Sequence, residues 1–364
     1  MSIERRRFLG GMVAIGGALV AGCAGAPSKR TLRGYSVPVI DLHAHWLPPE
    51  WVALVEKEGG SNGARIGKNE RGQTTVSISG INYVFQQQYI DINVRLKAMD
   101  AAGVDIHALS LTSPMVYWAP PAFGLKLSQV YNDGLAAVHL KYPERFLGLA
   151  MLPMQDPNLA AQELDRAAGL PGIRGVYMAT HVNGRNLDDK SFWPVYARCE
   201  ALGLPLFLHP PFDSAGVERM RSYYLRNFLG NPYDTGIAAS SLMFGGVLDA
   251  YPKLEVVLPH AGGTFPWLTG RMDHGATVRP EIKHMKQPPS SYLRRFHYDT
   301  ITHSGVIMLD LVRLVGADRV VMGTDHPADM SLERPVDFVE SIAGLSTYER
   351  ELILGANSAR LLKI

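Results

Sequence analysis

Eight short apolar, β-branched runs, each followed by a polar or glycine-rich loop and then an amphipathic stretch, predict an α/β chain folded as a closed TIM (β/α)₈ barrel. Length agrees, because 364 residues is long for most single cores but ordinary for this one. No Gly/Ser/Pro-rich tract divides residues 36–364, so they read as one domain. The competing architecture, a doubly wound open sheet, would carry a glycine-rich nucleotide fingerprint. Gly262-Gly263 is the one hint of that fingerprint, and it lacks the spacing.

In chain order, Val37–Leu42 is the first strand, a run of β-branched and apolar residues ending at a polar loop. Residues 59–88 interrupt the alternation. Their glycine-rich turns and the alternation across Thr74–Ser79 predict a small hairpin inserted after the first strand. Val94–Ala102, with Leu96 and Met99 on one face, is the first crossover helix and leads into the strand Asp105–Ser110. The helix Leu127–Leu140 and the strand Phe146–Leu152 follow, then the helix Leu159–Ala168 and the strand Gly172–Met178. Trp193–Leu202 and Leu204–Leu208 make the next pair, then Ala238–Ala250 and Leu254–Leu258. Phe296–Thr300, the helix Val306–Val315 and Arg319–Met322 complete the ring, and Tyr348–Leu362 reads as a closing helix on its wall.

The N-terminus carries an address rather than part of the fold. Residues 1–22 place Arg5-Arg6-Arg7 before Phe8-Leu9 and an apolar run too short to span a bilayer, the layout of a twin-arginine signal peptide. Val20-Ala21-Gly22-Cys23 resembles a lipobox, which implies a lipid anchor at Cys23 and a periplasmic or cell-envelope location; the alternative is an ordinary cleavage site. Lys plus Arg is 36 and Asp plus Glu is 34, and removing residues 1–22 leaves 33 of each. A balanced chain of this kind excludes a nucleic-acid binder, which needs a basic surplus. With 46% hydrophobic and 19% charged residues, the composition is that of an ordinary globular chain. Two cysteines exclude a disulfide framework or a cysteine-rich metal site, and Cys199 reads as a small core residue.

The candidate chemistry lies at strand ends. Asp41-Leu42-His43-Ala44-His45 closes the first strand, and residues two apart on a strand share a face. Alone, His-x-His could equally make ordinary polar contacts. However, His209 ends the fifth strand, His260 the sixth and Asp325 the eighth, and barrel strand ends converge on the catalytic face. One divalent metal, zinc by its ligand types, held by His43, His45, His209 and Asp325 would satisfy these groups and leave a position open for water. His260 then suits a proton acceptor or donor, with a fifth ligand as the alternative. The fourth strand ends Tyr177-Met178-Ala179-Thr180-His181 and offers no lysine to bridge a second metal.

In order, Asp-x-His-x-His, His-Pro, Pro-His-Ala-Gly and Gly-Thr-Asp-x-Pro resemble the amidohydrolase superfamily. Within it, the chain is similar to the aminocarboxymuconate-semialdehyde decarboxylase branch from about Val39 to Leu362. Shared stretches include Leu47-Pro48-Pro49-Glu50-Trp51, Tyr117-Trp118-Ala119, Thr180-His181-Val182-Asn183 and Gly270-Arg271-Met272-Asp273. The resemblance implies a zinc enzyme whose residue matching His260 activates the metal-bound water, with Asp325 also at the reacting centre. It further implies a homodimer in which one subunit lends its neighbour the arginine matching Arg271, to grip a substrate carboxylate. A second family arginine is matched here by Gln86, which has no charge and no bidentate fork. Tyr223 falls at a pocket tryptophan, His326 replaces an expected aromatic residue, and Trp118 and His181 are further candidates for lining the pocket. Arg219, Arg221 and Arg226 cluster in the loop after the fifth strand, either as a solvated face or as an anion-holding element. The expected activity is decarboxylation of a small unsaturated or aromatic acid. The alternative is hydrolysis or hydration of a lactone, amide or alkene by the same site.

Overall fold

The eight runs form eight parallel strands, here β1 (Ile40–His45), β2 (Ile106–Ser110), β3 (Phe146–Met151), β4 (Ile173–Ala179), β5 (Leu206–His209), β6 (Val256–Leu258), β7 (Phe296–Asp299) and β8 (Val320–Val321). Each pairs with the next in chain order. The computed structural model describes residues 34–78 and 80–364. The leader over residues 1–22 and the proposed anchor at Cys23 lie outside them.

β8 is short, and the ring closes through the segment that follows it. Leu42 N donates to Met322 O at 3.0 Å, Asp325 N to His43 O at 2.8 Å and His45 N to His326 O at 2.7 Å. The strands are buried because helices cover them outside and side chains fill them inside, so their sequences run apolar rather than alternating.

Among the described residues the longer helices are α1 (Pro49–Glu58), α2 (Ile92–Ala102), α3 (Pro121–Lys141), α4 (Pro157–Ala167), α5 (Trp193–Leu202), α6 (Asn231–Phe244), α7 (Phe265–Val278) and α8 (Gly305–Val315). Their inward faces keep helical spacing, as with Ala160, Glu163, Leu164 and Ala167 on α4, and Met308, Leu311, Val312 and Val315 on α8. Asp91 caps α2, Asp156 caps α4 and Ser304 caps α8, each accepting from backbone N–H groups that the first turn leaves unpaired. Among the described residues, no helix is long and apolar enough to cross a membrane.

Three elements differ from expectation. The inserted hairpin is a three-stranded antiparallel meander (64–68, 74–78 and 81–85), and α1 precedes it. The helix expected over residues 238–250 starts at Asn231 and breaks at Gly245-Gly246, where Gly246 takes φ 77° before a single turn, Val247–Ala250. The closing helix carries a π turn over Leu352–Ala356, between Thr347–Glu351 and Asn357–Leu362. A Cβ on Gly355 would sit 2.0 Å from Pro38 O, so that turn lets the backbone press against the entry to β1.

Candidate metal centre

Five polar side chains converge at the C-terminal mouth of the barrel. His43 and His45 project from β1, His209 ends β5, His260 follows β6 and Asp325 follows β8. The ring centroids of His43, His45 and His209 lie 4.8–5.1 Å apart, and His260 is 5.5–5.6 Å from His43 and His209. Asp325 Oδ1 lies 2.8 Å from His45 Nε2, 3.2 Å from His43 Nε2 and 3.8 Å from His209 Nε2. His260 Nε2 faces the other oxygen, Oδ2, at 3.8 Å. Donor atoms of His43, His209, His260 and Asp325 all lie within 4.8 Å of one another.

Each of the three barrel-strand imidazoles is held by its far nitrogen. His43 Nδ1 meets Asp299 Oδ2 at 2.8 Å, His45 Nδ1 meets Ser110 Oγ at 3.1 Å and His209 Nδ1 meets Pro210 O at 2.9 Å. In the neutral His45 and His209 a proton kept on Nδ1 leaves the Nε2 lone pair facing Asp325, the arrangement that metal-binding histidines adopt, and at His43 an ion would displace the Nε2 proton that the carboxylates favour. The Nε2 atoms of His43 and His209 are buried and have no hydrogen-bond partner. Donors about 2.1 Å from one ion would lie about 3.0–3.4 Å apart, within the 2.8–3.8 Å range over which Asp325 Oδ1 meets the three imidazoles. Three imidazoles and a carboxylate fit a divalent ion. His260 is built differently, because its Nδ1 is buried without a partner and nothing fixes its tautomer.

Burial favours the neutral ring, lowering His45 to about 3 and His209 to about 4. It acts on His43 too, but the Asp325 and Asp299 carboxylates outweigh it and hold that ring up to about 10. Burial would raise Asp325, yet the surrounding imidazoles, His43 foremost, keep its carboxyl well below the usual range.

Two aspartates support the site: Asp299, which no motif marks, and Asp41, which the Asp-x-His-x-His pattern contains without assigning it a role. Asp299, at the end of β7, holds His43 with one oxygen and accepts from Ala261 N with the other at 2.8 Å, so it ties His43 to the loop presenting His260. That loop runs through four left-handed residues, His260 to Gly263, with φ between 51° and 79°. Asp41, fully buried and pushed up to about 6 by desolvation, accepts from His43 N at 2.9 Å, from Thr324 N at 3.1 Å and from the Thr324 hydroxyl. It fastens β1 to the turn carrying Asp325. Arg95, also fully buried, donates to His45 O and lies 3.2 Å from His107 Nδ1.

The site opens into a cavity of about 370 Å³ floored by His45, His209 and Asp325. Gln86 lines it, with Tyr83 and Phe85 of the meander on one wall and Phe212, Tyr224 and Arg226 on another. Tyr223 does not. Consecutive left-handed residues, Tyr223 at φ 58° and Tyr224 at φ 60°, turn Tyr223 out to 88% exposure, and Tyr224 takes the place expected of it. Trp118 and His181 line an adjoining cavity of about 170 Å³ that shares Tyr83, Ser113 and Phe212 with the first. Arg271 is exposed on α7 and does not line the cavity of its own chain. His297 is fully buried on β7, with Nε2 2.9 Å from a Glu255 carboxylate oxygen. Cys199 is buried in the core as expected.

A barrel with imidazoles and a carboxylate converging at its C-terminal mouth defines a metal-dependent enzyme. The amidohydrolase family model matches residues 40–364, and the chain belongs to that family. It is 36% identical over 327 residues to 2-amino-3-carboxymuconate-6-semialdehyde decarboxylase of Dictyostelium discoideum, covering 89% of this chain and 91% of that one. Among solved structures it resembles 5-carboxyvanillate decarboxylase from Sphingomonas paucimobilis, with a TM-score of 0.78, 27% identity, and 90% and 100% of the two chains covered. It also resembles a dihydroxybenzoic acid decarboxylase from Polaromonas with bound manganese and 2-nitroresorcinol, with a TM-score of 0.73, 26% identity, and 90% and 97% covered.

Proposed function

We propose that the chain is a metal-dependent carboxy-lyase acting on a small unsaturated or aromatic carboxylic acid. The observation that carries this reading is the set of three imidazoles with engaged Nδ1 atoms, their Nε2 atoms grouped around Asp325. Relatives that share most of the chain's length include decarboxylases of such acids. His43, His45, His209 and Asp325 would hold the ion, and zinc is the assignment we favour on the nitrogen-rich donor set. The ion would supply Lewis acidity toward the substrate's oxygens and would acidify water beside it.

Loss of carbon dioxide from an sp² carbon requires that carbon to gain a proton before the C–C bond breaks and its electrons return to the ring or alkene. His260 is placed to move that proton, with Nε2 facing the centre and Nδ1 free of any structural bond. Asp325 keeps its charge and faces that Nε2 at 3.8 Å. Tyr83, Phe85, Phe212 and Tyr224 place aromatic rings around the space where the reacting carbon would sit. We also assign export by the twin-arginine leader to the cell envelope, a lipid anchor at Cys23, and a homodimer in which the partner's Arg271 completes the cavity.

The test is a panel of small aromatic and unsaturated acids assayed for carbon dioxide, run beside lactones and esters. About one divalent ion per chain and carbon dioxide release abolished in His260→Gln with the ion retained are expected. Turnover of the lactones and esters alone would overturn the lyase reading, and full activity of His260→Gln would remove that residue from its role.

A further inference from the structure

The cavity of about 170 Å³ beside the metal-centre cavity is a side chamber whose lining differs in kind. It lies between the meander and the loops after β2, β4 and β5, with Ile78, Ile81, Met115, Trp118 and Pro211 among its walls. Tyr83 and Phe212 line both spaces and meet edge-on, ring centres 5.6 Å apart, at the neck between them. On the other side of that neck the Arg226 guanidinium carbon lies 3.9 Å from the centre of the Phe212 ring and steadies it.

Hydrogen bonds in the chamber are spent on its own walls. Trp118 Nε1 donates to Met115 O at 3.1 Å, and Asn183 Nδ2 donates to Tyr117 O at 2.9 Å. His181 Nδ1 accepts from Gly184 N at 3.2 Å, which leaves the ring proton on Nε2, 3.3 Å from Asp213 O. The Tyr117 hydroxyl accepts from Ala179 N at 3.3 Å. A polar group entering the chamber would exchange water for few partners, whereas a hydrocarbon gains by leaving water. The main cavity is the opposite, because Arg71, Gln86 and Asn227 line it.

We propose that the chamber holds a hydrocarbon substituent of the substrate, so that the preferred substrates are aromatic or unsaturated acids carrying a short alkyl chain or a second ring rather than the unsubstituted acids. This rests on the lyase reading above and names the substrate class for the same site. The reacting carboxylate sits at the metal centre, and the substituent reaches the chamber past Ser113, which lines both cavities beside Tyr83 and Phe212. An apolar cavity of about 150 Å³ accommodates one benzene ring, so the chamber takes a phenyl group or a chain of about four to six carbons.

The experiment measures, by calorimetry on the metal-loaded protein, binding of benzoate and of its meta- and para-alkyl derivatives from methyl to octyl. Carbon dioxide release from hydroxybenzoic acids bearing the same chains is assayed beside it. In wild type, affinity in at least one series should rise about three- to fourfold per methylene and level off at about four to six carbons. Ile81→Trp fills the chamber from its half-buried rim and should bring the plateau to shorter chains. Trp118→Ala widens the chamber and should move the plateau to longer ones. Equal affinity along both series, or a plateau that neither variant moves, would overturn the assignment. A rising series whose plateau follows the variants, without carbon dioxide from any acid, would sustain the chamber and sink the lyase reading instead.

Discussion

Asp299 does two jobs with two oxygens. Replacing it with Asn would preserve an acceptor for Ala261 N but turn an N–H group toward His43 Nδ1. That ring would then carry its proton on Nε2, where the ion needs a lone pair. Asp299→Asn should therefore weaken metal binding by about ten- to a hundredfold while leaving the fold intact, as measured by competition with a chelating dye. Unchanged affinity would show that the Asp299 bond does not set the tautomer. Nothing in Phe296-His297-Tyr298-Asp299 announces this role, since a lone aspartate after a strand has no characteristic spacing. His43 and His45 were legible because a strand repeats every two residues, and His209 and Asp325 because they end predicted strands. Tyr223 was misread for Tyr224 because two successive left-handed residues swap which ring points inward, and backbone handedness leaves no trace in a run of aromatics.

At the scale of elements, the loop after β6 stores strain where His260 is presented. Two of its four consecutive positive-φ residues, His260 and Ala261, are not glycine, and holding them there costs free energy that tight surroundings must offset. At Gly263 the surroundings are close indeed, because a Cβ there would lie 2.1 Å from Pro232 O at the start of α6. Gly263→Ala should lower stability by about 2–4 kcal/mol, combining strain and overpacking, and should disturb His260 more than the metal ligands. Urea unfolding with metal analysis checks this; wild-type stability would show that the loop relaxes freely. Strands and most helices were readable within a few residues because burial and helical spacing both mark them. The meander's first strand, Ala64–Lys68, was not, since it is mostly exposed and carries a glycine at its fourth position.

At the scale of the whole molecule, buried histidines away from the ion set a pH response. Burial holds His107 well below its ordinary value, with Arg95 adding to the effect, and burial also lowers His297 despite Glu255 beside it. In the unfolded chain each takes up a proton near pH 6.5, whereas the folded protein resists until lower pH. Their stabilisation is thus complete above about pH 6.5 and is lost as the pH falls from there toward the folded values. Each contributes up to about 1.4 kcal/mol per pH unit in that window. Denaturation of the metal-free protein at pH 7.5 and 5.5 should show the loss, and His107→Gln should flatten the slope. A slope unchanged by the substitution would assign the response to other groups.

Barrel closure also decides when the metal centre can exist. Two proposed ligands, His43 and His45, lie on the first strand and a third, Asp325, follows the last, and few backbone bonds join those segments directly. An ion bound there would be a clasp across the seam, and it can fasten only after the far end of the polypeptide has come home. Chains cut short before Asp325, or opened along that edge, would surrender their ion first and their shape afterwards. Metal retention would then report, in a single reading, that the ring had been completed.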